Sequence, residues 1–296
     1  MTSERHTPVL SESVLRFLDP KPGSVIVDCT LNGGGHAALL AAHGAHVLGI
    51  EWDPSIASTF YDHHPELRET VTVVNENYTG LERICAERGI VPDGVLFDLG
   101  LSSIHYAESG RGFSFNQTDE PLDMRYNPQS TAVTAGRLIN ESEPAELERI
   151  LREYGEEQFA GQIAAAVAIA RRTAPFRTVG DLVQTIEASV PPWYRRQRIH
   201  CATKTFQALR VAVNDELGNV TAGVSAAIRV LKPGGHLVVI AFQGSEDKIV
   251  RELFKKSAKE GTIRWVTRDT IRPTWQEMKS NPRSRSAKLK VIEKLP

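Results

Sequence analysis

Four apolar runs early in the chain each end in side chains suited to holding a nucleoside. The first ends in Asp28-Cys29-Thr30-Leu31-Asn32-Gly33-Gly34-Gly35-His36, an acid and three glycines directly ahead of a helix-forming stretch. Glycine reaches positive φ and lets the backbone approach a ligand closely, and a helix N-terminus favours an anionic group. The second run ends in Ile50-Glu51; a carboxylate roughly 20 residues beyond such glycines accepts hydrogen bonds from both hydroxyls of a ribose. The third ends in Asn75-Glu76-Asn77-Tyr78, whose ring suits adenine, and the fourth in Asp98-Leu99-Gly100-Leu101-Ser102-Ser103. Taken singly, a bare tight turn competes seriously for the glycines and a core tyrosine explains Tyr78 equally simply, while a solvated strand end is the weaker account of Glu51 beside those glycines. Their convergence at consecutive strand ends, where open α/β sheets bind ligands, favours an adenosyl ligand. Either NAD or S-adenosylmethionine satisfies the pair formed by the glycine turn and Glu51.

The elements that must position these residues are legible as a rhythm. The β-branched runs Ser24–Asp28, His46–Glu51, Val71–Val74 and Gly94–Asp98 alternate with amphipathic stretches such as His36–His43, which predicts an α/β fold with a parallel sheet and helices on both faces. After Asp98 the rhythm stops, and Ser102–Ser130 reads as an ordered loop. Leu147, Ile150, Leu151 and Tyr154 recur at helical spacing, and Phe159–Arg172 is a second such stretch within a helical insertion. The α/β rhythm resumes over Thr205–Leu231, turns at Lys232-Pro233-Gly234-Gly235, and ends in strands at His236–Phe242, Thr262–Val266 and Ala287–Glu293. The expected organisation is a discontinuous catalytic domain, residues 1–107 and 206–296, interrupted by a helical module over 108–205.

At 296 residues, with 41% hydrophobic and 24% charged residues, the chain has the composition of a globular protein. The formal net charge of −1 hides local segregation. Arg195, Arg196 and Arg198 follow Trp193 and Tyr194, Arg283, Arg285, Lys288 and Lys290 crowd the C-terminal stretch, and acids gather over Glu141–Glu157. Local basic patches suited to nucleic acid are therefore expected despite the neutral total. Three scattered cysteines, Cys29, Cys85 and Cys201, lack metal-ligand or redox spacing and fit a reducing cytoplasm. No apolar signal-peptide core opens the sequence and no stretch has transmembrane length, so a protein with no membrane role is expected.

Beyond these patterns, an ordered series of motifs runs through nearly the whole chain. It comprises His6-Thr7-Pro8-Val9-Leu10, Thr30–His36, Asp98–Ser103, Arg111-Gly112-Phe113-Ser114-Phe115, Pro121-Leu122-Asp123-Met124-Arg125 and Tyr154-Gly155-Glu156-Glu157. It continues with Ala202–Arg210, Val213-Asn214 and Asn281–Ala287. In these motifs the sequence closely resembles the bacterial small-subunit ribosomal RNA N4-cytosine methyltransferases, the MraW or RsmH family. The resemblance implies a Rossmann-like class I methyltransferase core with a helical insertion, S-adenosylmethionine as cofactor, and methyl transfer to a cytosine amine in the decoding region. It implies cofactor contacts at Gly34, Gly35, His36, Glu51, Tyr78, Asp98 and His105. The implied partner is ribosomal RNA or the small ribosomal subunit, with an oligomer left open.

The chain departs from the family pattern in places. Asn32 replaces a usual glycine, and asparagine tolerates the left-handed region better than most residues. Glu51 replaces aspartate, Tyr78 replaces phenylalanine, and His105 stands where glutamine is common. Phe242-Gln243-Gly244-Ser245-Glu246-Asp247 lacks the usual histidine at 243, and the connection from Asp247 to Asn281 is short for the family.

Cytosine's amine is a poor nucleophile because its lone pair is delocalised, so orientation and an acceptor for its protons are the main requirements. A sulfonium methyl donor is already activated, and the chemistry requires no metal. Asp98 is the candidate for that acceptor, or else holds only the cofactor. An unstacked nucleotide needs aromatic platforms and phosphate contacts, for which Arg111, Phe113, Arg125, Arg195, Arg196 and Arg198 are the candidates, with Phe115, Trp193 and Tyr194 beside them. Packing of the loop is the competing role for Phe113 and Phe115, and a solvated face the competing role for the arginines. Two other functions share these features: a nicotinamide-dependent oxidoreductase, through the turn and Glu51, and a catalytically silent cofactor-binding assembly factor, through Gln243.

Overall fold

The computed structural model describes residues 8–130 and 133–296; His6 and Thr7 of the first motif lie outside them. The chain divides into two compact units, one of residues up to Gly100 together with Leu217–Pro296, the other Leu101–Glu216.

The first unit is built on a seven-stranded sheet. Its strands are β1 (Val25–Asp28), β2 (His46–Glu51), β3 (Val71–Asn75), β4 (Gly94–Asp98), β5 (His236–Ala241), β6 (Ile263–Trp265) and β7 (Lys288–Lys294), in the order β3-β2-β1-β4-β5-β7-β6. The first five run parallel. Successive residues of the central strands point to opposite faces: Val27, Leu48, Val95 and Val239 enter one apolar cluster, while Ile26, Val47, Leu96 and Val238 enter another. Both faces are therefore covered, which is why these strands read as unbroken β-branched runs. Register fixes the strand ends: Asp28 pairs with Gly49, so Glu51 lies two residues further up β2, and Asp98 pairs with Ile240.

The expected all-parallel sheet is corrected at one strand, since β7 runs antiparallel to both β5 and β6. No crossover helix carries the chain back below the sheet after β6. It passes through the helix Trp275–Ser280 and the turn Pro282–Ser286 and then reverses directly into β7.

The second unit is helical, with helices at Ser103–Glu108, Ala135–Glu141, Pro144–Gly155, Ala160–Ala170, Val179–Ser189, Pro192–Arg195 and Thr203–Asn214. Its bounds differ from the expected 108 and 205. The side chains of His105 and Phe113 pack together here, and Phe206, Leu209 and Val213 of the last helix belong to this core. The break falls at Asp215, whose φ of 47° ends that helix before the next begins at Glu216. The stretch expected as loop also holds a helix, Ser103–Glu108, capped by the Ser102 hydroxyl.

Two of these helices approach closely at Gly155, where a β-carbon would lie 2.5 Å from the Lys204 carbonyl oxygen and 3.0 Å from Ala208 Cβ. Gly155→Ala is therefore expected to destabilise the fold by about 1–3 kcal/mol, the usual cost of overpacking. Denaturant unfolding would show it as a lower midpoint with an unchanged slope; an unchanged midpoint would mean that the helices separate without cost.

Candidate active site

The turn after β1 is shaped from within. Asn32 takes φ 49° and Gly34 φ 74°, and the Asn32 side-chain amide donates to the Thr30 carbonyl at 3.0 Å. Asparagine thus occupies a left-handed position that glycine adopts most readily. Gly34 is required for space as well, since a β-carbon there would sit 2.5 Å from the Phe60 ring. Gly35 opens the helix Gly35–Ala42, and His36 in its first turn is buried.

Glu51 at the end of β2 is 6% exposed. Its two oxygens accept one backbone hydrogen bond each, from Asn32 N at 2.9 Å and from Asp53 N at 2.8 Å. Each oxygen keeps a second lone pair, the arrangement that two ribose hydroxyls need. Burial pushes the Glu51 carboxyl up to about 7; the backbone donors at Asp53 and Asn32 oppose this, and the charges of Asp53 and Asp28 add to it. Burial likewise pushes Asp28 up to about 6, against the pull of His36.

At the end of β4, Asp98 N donates to Thr30 Oγ1 at 2.7 Å, tying this strand end to the glycine turn. The Asp98 carboxylate lies 3.5 Å from His36 Nε2. Burial works against a charge on His36, but the Asp98 carboxylate and, after it, Asp28 outweigh burial and hold the imidazole above its ordinary value. One oxygen of Asp28, one of Asp98 and both ring nitrogens of His36 are buried without hydrogen-bond partners. Such groups are costly in isolation and mark a place for a polar ligand. The partnerless Asp28 oxygen suits a ligand bearing an ammonium, and the Glu51 oxygens suit its ribose, so the donor set fits S-adenosylmethionine. Tyr78 is half-buried, its ring edge-on to Phe97 at 5.3 Å, with space for it made by Gly223.

Gly34, Gly35, His36, Glu51, Tyr78 and Asp98 thus gather at the carboxyl ends of adjacent strands. His105 belongs to the helical unit, buried with its ring 5.3 Å from Phe113 and 5.0 Å from Tyr126. Asp28, Thr30 and Asp53 join the site although sequence reasoning does not single them out as site residues. Asp28 and Thr30 lie in its leading motif, and the signal for Asp53 is Asp-Pro, which marks a helix cap: its carboxylate accepts from Ser55 N at 2.9 Å.

The turn after β5 is closed by Glu246, whose Oε2 accepts from the backbone of Phe242 at 2.9 Å and of Gln243 at 3.0 Å. Neither bond depends on the side chain at 243, so the missing histidine does not leave this turn open.

The candidate RNA residues divide sharply. Phe113 is 4% exposed and stacks on Tyr126, so it packs the core and cannot also serve as a base platform. Arg111 donates to the carbonyls of Arg125 and Tyr126 at 2.8 Å, and Arg125 is forked onto Asp123 at 2.7 and 2.8 Å; both guanidinium groups hold the loop. Phe115 stacks on His200 at 4.7 Å. Tyr194 is buried and bonded to Glu157. Trp193, by contrast, is 55% exposed, and Arg195, Arg196 and Arg198 are exposed with no carboxylate partner among the described residues. Glu187, His200 and Cys201 bring metal-binding atom types within 4.8 Å. His200 Nδ1 accepts from Ala202 N, which leaves the ring proton on Nε2, 3.3 Å from Glu187: a hydrogen-bonded imidazole rather than a metal ligand.

A dinucleotide-binding sheet has the order 3-2-1-4-5-6 throughout in parallel. The antiparallel β7 between β5 and β6, with the glycine turn and acidic strand ends, instead defines a Rossmann-like class I methyltransferase, dependent on S-adenosylmethionine, and this sets aside the oxidoreductase. A family model described as the MraW methylase family matches residues 3–295. The chain belongs to that family. It is 40% identical over 309 residues to ribosomal RNA small subunit methyltransferase H of Symbiobacterium thermophilum, covering 98% of this chain and 96% of the relative. It is 39% identical over 315 residues to the protein of that name from Pelobacter propionicus, covering all of both. Among solved structures, a rRNA methylase from Streptococcus thermophilus aligns with a TM-score of 0.45 at 10% identity, over 97% of this chain and 94% of that one.

Proposed function

We propose that the protein methylates the exocyclic N4 of a cytosine in the decoding region of small-subunit ribosomal RNA, acting in the cytoplasm. The family match across nearly the whole chain carries this reading. S-adenosylmethionine supplies an activated methyl group. Glu51 would hold its ribose, and Asp28 and His36 would hold its amino-acid end. The partnerless Asp98 oxygen would accept a hydrogen bond from the cytosine amine, orient its lone pair, and take up the proton that the amine gives up on being methylated. Mapping of methylated cytosines in ribosomal RNA from cells with and without the protein tests this. One decoding-region cytosine should lose its N4-methyl group when the protein is absent, and an unchanged map overturns the reading.

In the helical unit, Arg195, Arg196 and Arg198 contact phosphates and exposed Trp193 stacks on a base, since their charge is unneutralised and the ring is open to solvent. Changing the three arginines to alanine should reduce the slope of log K against log salt by about 0.7 for each phosphate no longer neutralised, with cofactor affinity intact. An unchanged slope would assign them to a solvated face.

A further inference from the structure

The motif Asn281–Ala287 has no part in the cofactor site, yet its architecture is specific. Ser284 and Ala287 are fully buried, and the Ser284 hydroxyl donates to the Asn281 carbonyl at 2.8 Å. Arg283 and Arg285, which flank Ser284, are exposed. The turn is therefore anchored through its small residues and presents both guanidinium groups to solvent.

The preceding helix adds to this surface. Trp275 is 70% exposed, with Lys279 Nζ 5.4 Å from its ring centroid. The helix is fixed at its start by the Thr274 cap on Glu277 N and tethered by Glu277 Oε1, which accepts from Leu10 N at 2.6 Å. Between Arg268 and Ser286 there are five cations, Arg268, Arg272, Lys279, Arg283 and Arg285, against two carboxylates, Asp269 and Glu277. None of the five has a carboxylate partner among the described residues, whereas Arg83, Arg229 and Arg264 of the same unit are each paired. A solvent-exposed indole among unneutralised cations on an anchored turn is the combination that single-stranded nucleic acid requires. A membrane-lying helix needs an extended apolar face, and here Trp275 is the one large apolar side chain of the segment that stands exposed.

We propose that Arg268–Arg285 of the sheet unit is a second RNA-binding surface, on which Trp275 stacks against an unpaired base and Lys279, Arg283 and Arg285 hold the flanking phosphates. This rests on the reading that the substrate is RNA. It differs from the arginine cluster of the helical unit in its residues and in its compact unit.

Anisotropy of a fluorescein-labelled oligocytidylate tests it with the full chain. Trp275→Ala should weaken binding about tenfold, the order of one base–indole stack, and Trp275→Phe should restore most of the affinity. Combined Lys279→Ala, Arg283→Ala and Arg285→Ala should reduce the salt slope by about 2, or roughly 0.7 per phosphate. S-adenosylhomocysteine affinity at the parent value in every variant shows that the sheet unit is folded. Parent affinity and slope in these variants, with weakening confined to the Arg195, Arg196 and Arg198 variant, overturns this surface and leaves the RNA reading standing. Failure of the parent protein to bind the oligonucleotide, or binding of anionic phosphatidylserine vesicles in its place, overturns both.

Discussion

Asp98→Asn is expected to lower kcat about a hundredfold while changing the affinity for S-adenosylhomocysteine by only a few fold, the pattern of an interaction made mainly in the transition state. Positive charge develops on the cytosine amine as the methyl group arrives. A carboxylate stabilises that charge and takes the proton; an amide can accept a hydrogen bond but supplies neither. The backbone position should survive substitution, because Asp98 N is held by Thr30 Oγ1 irrespective of the side chain. A second readout separates this from general disruption. Asp98 is the main influence holding the His36 imidazole above its ordinary value against burial, so the neutral variant should shift the His36 titration downward in a histidine NMR experiment. Full turnover at saturating cofactor would reduce Asp98 to a cofactor contact.

The strands of the site were legible because they are buried on both faces. Val25–Asp28, His46–Glu51 and Gly94–Asp98 carry β-branched runs with polar residues only at their ends, and four such ends in succession define a ligand edge without tertiary information. The direction of β7 was not legible, because side-chain alternation along Lys288–Lys294 is the same in a parallel or an antiparallel ladder. The helix Ser103–Glu108 is too short for a period to emerge, although its Ser102 cap was in view. Residues 205–231 read as an unbroken resumption of the α/β rhythm, and only the positive φ of Asp215 reveals the break between the units.

Exposure was the least accessible quantity. Trp193 and Tyr194 are neighbours in sequence, yet one is 55% exposed and the other 6%, because a four-residue helix has no periodicity from which to tell its buried face. Of the C-terminal cations, Lys288 and Lys290 turn toward Asp247, with Lys290 buried against it, while Arg283 and Arg285 remain open. A charge count treats all four alike; strand geometry separates them.

Cofactor affinity should rise with pH across the neutral range, and Glu51 sets the window. Buried in the free protein, its carboxyl titrates at about 7, yet only the ionised form has all its lone pairs available to two ribose hydroxyls and two backbone N–H groups. Binding must therefore expel a proton at any pH below 7. Linkage then weakens the affinity by up to tenfold per pH unit, so S-adenosylhomocysteine should bind about tenfold more weakly near pH 6 than near pH 8. Below about 6 the protonation of Asp28 steepens the fall. Titration calorimetry in buffers of different ionisation enthalpy should count about one proton released near pH 6 and almost none near pH 8. Stability of the free protein should respond in the opposite sense. Both acids have folded-state values above their ordinary ones, so their contribution is fully present below about 4 and is lost as pH rises through about 6 and 7. Glu51→Gln should flatten the binding profile above pH 6 and weaken affinity at high pH, because the amide offers one acceptor oxygen where Asn32 N and Asp53 N between them use two. A parent-like pH profile in that variant would remove Glu51 from the ribose and place the titrating group elsewhere in the cluster.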